Sequence, residues 1–154
     1  MSGGWIGVDF DGTLAEYGSW NGPLSIGTPF PAMVARVRAW LAAGCEVRIV
    51  TARANDPDPA GRSQAILAIE RWCERQFGQL LRVTARKDYA MMELWDDRAV
   101  QVEPNTGQPA LVIQLQAILD DLPVVAGEKT PEQLLLAIRA TIDVRLRVAK
   151  DRYE

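Results

Sequence analysis

Short β-branched runs alternate with amphipathic stretches through the first hundred residues, and this alternation constrains the chain more than any other feature. Trp5 to Val8 is a short apolar run that ends in Asp9. Val47 to Val50 is a second, ending in Thr51, and Leu81 to Val83 a third. Two more are expected at about Met92 to Trp95 and at Ala99 to Val102. Between the first two, a helix is expected from Pro29 or Pro31 to Gly44, with Val34, Val37, Trp40 and Leu41 on one face. A loop at 55–59 leads into another helix that ends at Phe77 and Gly78, with Ile66, Ile69 and Cys73 inward. Strand and helix in alternation predict an α/β fold with a parallel sheet. In such sheets ligands sit outside the carboxyl ends of the strands. Asp9, Thr51 and Asp96 fall at those ends.

The remainder is plainer. Gly12, Gly18, Gly22 and Gly27 break the segment up to Thr28 into a loop or hairpin. After a turn at Asn105 and Gly107, Leu111, Leu115, Ile118 and Leu122 recur at helical spacing. Thr130, Pro131 and Gln133 read as a capped start for a last helix, with Leu135, Ile138, Ile142 and Leu146 inward and its end near Lys150. With 154 residues the chain buries roughly 70% of its unfolded surface, enough for a single domain over 1–154. Its core is expected at about 5–103 and its extra C-terminal helices at about 108–150.

Composition narrows the chemistry. There is no histidine, which removes Ser-His-Asp hydrolases and most zinc sites. Hydrolytic chemistry must then run on carboxylates, a lysine and a hard cation such as Mg²⁺. Seventeen basic against twenty acidic residues give a net charge of -3, unlike a dedicated polyanion binder. No apolar run reaches the roughly 20 residues that span a bilayer, so no membrane partner is expected. The start MSGGWIGVDF has no signal-peptide character. Cys45 and Cys73 lack ligand-like spacing and read as free thiols, which suggests the cytoplasm.

Asp9 and Asp11 bracket Phe10, with Gly12 and Thr13 following. A strand-end carboxylate can act as a nucleophile, and a second one two residues on can serve as general acid and base. A phosphate beside two carboxylates requires a cation. The same residues taken alone read equally as a solvated turn. Thr51 can hold a phosphoryl oxygen or simply end a strand. Lys87 can anchor a phosphate or sit on the surface as most lysines do. Asp96 and Asp97 can bind a cation or cap a helix.

The order Asp-x-Asp, Thr, Lys, Asp-Asp, with each member near a strand end, resembles the haloacid dehalogenase (HAD) superfamily. Its first motif corresponds to Asp9-Phe10-Asp11-Gly12-Thr13, its second to Thr51, its third to Lys87 and its fourth to Asp96-Asp97. The resemblance spans about residues 5–103. It implies a Rossmann-like three-layer sandwich with sheet order 3-2-1-4-5 and the Asp9 strand at the centre. It also implies phosphotransfer rather than dehalogenation, because Asp11 is present. Asp9 would form an aspartyl-phosphate, while Asp11 would protonate the leaving oxygen and then activate water. Mg²⁺ would be held by Asp9, the Asp11 backbone carbonyl and Asp96, with Asp97 behind it. Thr51 and Lys87 would stabilise the phosphoryl group. Lys87 lies too near Asp96 for a helix between them, so it must arrive on a short loop.

Neither the interval from Asp11 to Thr51 nor that from Thr51 to Lys87 leaves room for a large cap domain. An open site suits a phosphorylated small molecule, such as a nucleotide, or a nucleic-acid end. Tyr17 and Trp20 are expected to face it and stack on a base or sugar, or else to pack the hairpin on its own sheet. Arg53 is expected to contact a substrate phosphate. The C-terminal helices either cover the sheet or form a homodimer interface. A receiver-type signalling module uses similar residues in another order, with its acidic pair first. A non-catalytic metal-binding HAD-fold module is the further alternative.

Overall fold

The computed structural model describes residues 3–110 together with Gln133 and Leu136. The chain divides into two compact units, residues 1–99 and 100–154. The first is an α/β unit built on four parallel strands, β1 (Trp5–Asp9), β2 (Glu46–Val50), β3 (Arg82–Thr84) and β4 (Met91–Trp95), in the order β3-β2-β1-β4. Helix α1 (Pro31–Ala42) links β1 to β2, and α2 (Pro59–Phe77) links β2 to β3.

Local chemistry sets the bounds of both helices. Pro31 opens α1 with its φ already helical, and Gly44, at φ 79°, takes the left-handed conformation just past its end. Asp58 caps α2 by accepting from the Ala60 and Gly61 amides at 3.2 and 2.8 Å, and Gly78 closes it at φ 73°. Each helix buries a stripe: Val34 and Val37 on α1, and Ala65, Ile69, Trp72 and Cys73 on α2. Ile66 lies beside that stripe and is half-buried.

The two stripes meet the side chains on one face of the sheet. Ile6, Val8, Phe10, Val47 and Ile49 form a single apolar cluster with Val34, Val37, Ile69 and Trp72. Phe10, directly between Asp9 and Asp11, is fully buried and meets Trp72 edge-on at 5.1 Å. Truncating a ring so enclosed typically costs about 3–5 kcal/mol. The core therefore anchors the backbone from which Asp9 and Asp11 project. Cys73 is buried and free, with its thiol pushed up to about 12 by that burial, and Cys45 is also free.

The β3–β4 connection, residues 85–90, holds no helix. Asp88 ties it down on the other face of the sheet. Its carboxylate accepts from the Trp5 indole at 2.7 Å, the Ala90 amide at 2.9 Å and Arg48 at 2.9 Å.

The expected fifth strand at Ala99 to Val102 does not form. Val102 makes an isolated antiparallel bridge to Pro109, closed by bonds from the Glu103 amide to the Gln108 carbonyl and from the Ala110 amide to the Gln101 carbonyl. A tight turn lies between, with Asn105 and Gly107 at positive φ. The run pairs with its own continuation instead of extending the sheet, so the order 3-2-1-4-5 is corrected to four strands. Of the expected C-terminal helical region, residues 108–110 and Gln133 and Leu136 lie within the described residues, the last two helical and exposed. Their inward faces and any homodimer interface lie outside the described residues. No helix among the described residues is long and apolar enough to cross a membrane.

Candidate active site

Strand register gathers the acidic residues. Val8 pairs with Trp95 across β1 and β4, so the next residues, Asp9 and Asp96, leave the same sheet edge side by side. Asp97 joins them: carboxylate oxygens of Asp9, Asp96 and Asp97 all lie within 4.8 Å of one another. Three features fix the pair after β4. The Asp97 amide donates to the Thr13 hydroxyl at 2.9 Å. The Thr13 hydroxyl in turn donates to the Asp97 carboxylate at 3.4 Å. The Arg98 amide donates to Asp96 Oδ1 at 2.7 Å. Gly12 permits this approach, having φ 87° and a position where a Cβ would stand 2.7 Å from Asp97 Oδ2.

The cluster is electrostatically costly. Asp9 is raised from 3.8 to about 7, first by burial and then by repulsion from Asp96, Asp97 and Asp11, against a lowering hydrogen bond from the Phe10 backbone. An all-oxygen set of three carboxylates beside open solvent is what a hard divalent cation such as Mg²⁺ takes, keeping several waters. The donor set fits a metal ion.

Asp11 turns elsewhere. Its carboxylate receives a two-pronged ion pair from Arg53, Nε to Oδ2 at 2.7 Å and Nη2 to Oδ1 at 2.6 Å. Arg53 Nη1 donates to the Ser25 carbonyl at 2.7 Å. The guanidinium is buried and lies 5.0 Å from the centre of the Trp20 ring. Arg53 reaches this position because Thr51 caps a 3₁₀ turn, Ala52–Asn55, its hydroxyl accepting from the Arg53 amide at 3.3 Å. Three of the five N–H donors of Arg53, the residue expected to contact a substrate phosphate, are engaged by Asp11 and the Ser25 carbonyl. Asp11 likewise offers its side chain to Arg53 and not to the acidic cluster.

These groups border one open cavity of about 590 Å³. Asp9, Asp11, Thr51, Arg53 and Asp96 line it from the sheet edge, and Tyr17 and Trp20 from the flap between β1 and α1. The flap folds back as a narrow hairpin through Glu16 amide to Thr28 carbonyl and Phe30 amide to Leu14 carbonyl. Gly27 is needed there, because a Cβ would run into the Glu16 carbonyl oxygen. Tyr17 and Trp20 line the cavity and are both partly exposed.

Lys87 is not among the cavity's lining residues. Without a helix after β3, the chain must return from the carboxyl edge to the start of β4 within residues 85–90. Lys87 is exposed on that return, beside the Asp88 anchor, while Ala85 alone of this segment reaches the cavity. Residues that the motifs did not single out also line it: Asn55, Asp56, Pro57 and Arg98. For Arg98 the available signal was its place two residues after Asp96, where a strand-end turn returns the chain to the same edge.

No protein-family model matches the chain, and no curated protein does. Among solved structures it is similar to that of a conserved protein from Bacteroides thetaiotaomicron. The two share 22% identity over 75% of this chain and 88% of that one, with a TM-score of 0.42.

Proposed function

We propose that this chain is a Mg²⁺-dependent phosphomonoester hydrolase of the HAD type, with a Rossmann-like core. One observation carries the reading: Asp9, Asp96 and Asp97 converge at the carboxyl edge of a parallel sheet, with Asp11 lining the same cavity as Asp9 and Asp96. A bound Mg²⁺, held by Asp9, Asp96 and Asp97, would neutralise charge on the phosphoryl oxygens. Asp9, ionised, attacks phosphorus in line; an aspartyl-phosphate, an acyl phosphate, forms as the bond to the leaving oxygen breaks. Asp11, once its Arg53 pair opens and it has taken up a proton from solvent, gives that proton to the leaving oxygen. Asp11 then takes a proton from the water that attacks the intermediate, releasing orthophosphate and restoring Asp9. Arg53 orients Asp11 through its rigid fork. The Thr51 oxygen accepts from the Arg53 amide, which leaves its hydroxyl hydrogen to donate to a phosphoryl oxygen. The open cavity and its two aromatic side chains suit a nucleotide or a nucleic-acid end, on whose bases Tyr17 and Trp20 would stack. Hydrolysis of an aryl phosphate with Mg²⁺, abolished in Asp9→Asn, tests the reading. No turnover of nucleotides, sugar phosphates or phosphorylated oligonucleotides by folded, Mg²⁺-loaded protein would refute it.

A further inference from the structure

A phosphoryl dianion entering this cavity meets the carboxylates of Asp9, Asp11, Asp56 and Asp96, and needs a positive partner besides the metal. Two arginines line the cavity, Arg53 and Arg98. They differ in what they already hold. Arg53 has Nε, Nη1 and Nη2 all engaged by Asp11 and the Ser25 carbonyl. Arg98 is exposed, and among the described residues no hydrogen bond or ion pair engages its guanidinium.

Its position is nevertheless fixed at the root. The Arg98 amide donates to Asp96 Oδ1 at 2.7 Å, closing a two-residue turn that ties this residue to the acidic cluster. A guanidinium on that turn presents a planar fork matched to two oxygens of a phosphoryl group.

We infer that Arg98 is the phosphate-anchoring residue of this cavity, taking the place that the sequence motifs assign to Lys87. The inference rests on the phosphatase reading for its role in turnover, but binding of phosphate tests it separately. In the catalysed reaction Arg98 holds the transferring group while Asp9 attacks. Removing one such donor typically lowers kcat by about 10²-fold.

The experiment compares wild type, Arg98→Ala, Arg98→Lys and Lys87→Ala in two assays on Mg²⁺-loaded protein. Orthophosphate binding by calorimetry should weaken at least about tenfold in Arg98→Ala and less in Arg98→Lys, which keeps the charge but loses the fork. Aryl phosphate turnover should fall about 10²-fold in Arg98→Ala. Arg98 is exposed, so unchanged thermal melts should accompany these losses. Losses that follow Lys87 instead, or equal orthophosphate binding by wild type and Arg98→Ala, overturn the inference. So does a wild type that binds no orthophosphate. Arg98-dependent phosphate binding in a protein that turns over no ester would uphold the anchor while removing the hydrolase reading.

Discussion

The two ends of the same sheet treat charge in opposite ways. Toward the amino end, Arg48 bonds Glu46 at 2.6 Å and Asp88 at 2.9 Å and lies 4.3 Å over the Trp5 ring. Asp88 also accepts from the Trp5 indole, and that bond leads the causes holding its carboxyl below the usual value. At the carboxyl end, Asp9, Asp96 and Asp97 crowd together, answered among the described residues only by backbone amides and one hydroxyl. Matched charges at one end lock the β3–β4 connection to the sheet. Like charges at the other end work against the cation-free fold and make a site for what would neutralise them. One end serves stability, and the other gathers carboxylates that could hold a metal ion.

The largest expected effect breaks the carboxyl end alone. On the proposed mechanism, Asp9→Asn should lower turnover by about 10⁴-fold or more, because it removes the proposed nucleophile. The same change should raise the thermal midpoint of cation-free protein at pH 8 by several degrees, since it removes an ionised carboxylate that burial and three neighbours disfavour. A melt that falls together with the activity would show that Asp9 is structural.

Arg53→Ala comes next. It strands Asp11 beside the cavity and removes a buried ion pair whose side chains are 6% and 19% exposed. A stability loss of about 2–4 kcal/mol in urea unfolding is expected. Turnover should fall as well, because Asp11 loses its orientation. Full stability in this variant would show that the pair is incidental.

A pH series sharpens the contrast. Asp9 titrates at about 7 in the fold against 3.8 ordinarily. The folded state therefore holds the extra proton between those values. The stabilisation it brings is complete below 3.8 and is lost as pH rises through about 7. A divalent cation must displace that proton, so its affinity should fall about tenfold per pH unit below 7. Calorimetric titrations at pH 5.5, 6.5 and 7.5 check this; a flat profile would place the cation elsewhere. The smallest effect belongs to the amino end. Asp88→Ala should lower the melting temperature modestly and leave turnover within about twofold, as a connection tied far from the reacting atoms requires. Its stabilisation has the opposite pH sense, being present above the ordinary carboxyl range and lost as pH falls.

Much of this organisation was legible in the residues themselves. Gly44 and Gly78 mark both helix ends, and the apolar runs at Trp5 and Val47 give the central strands. These are local signals with local causes. The strand expected at Ala99 was not legible, because an apolar run does not reveal which partner it will pair with. Here the turn at Asn105 and Gly107 returns the chain onto itself. Asp9 and Asp96 were readable as strand-end carboxylates, and register brings them together. The partnering of Arg53 with Asp11 was hidden, since it depends on a 3₁₀ turn and on a flap carbonyl at Ser25. Lys87 was placed by motif order, whereas the missing helix after β3 leaves it beside Asp88 on the return strand connection.

The central claim is that folding gathers Asp9, Asp96 and Asp97 around one divalent ion. Anomalous X-ray diffraction from crystals grown with Mn²⁺ in place of Mg²⁺ tests it most directly. The account predicts a single strong peak at about 2.1 Å from oxygens of Asp9 and Asp96, absent in Asp96→Asn. Ordered Asp9 and Asp96 carboxylates with no peak between them, at saturating Mn²⁺ and pH 8, would contradict it.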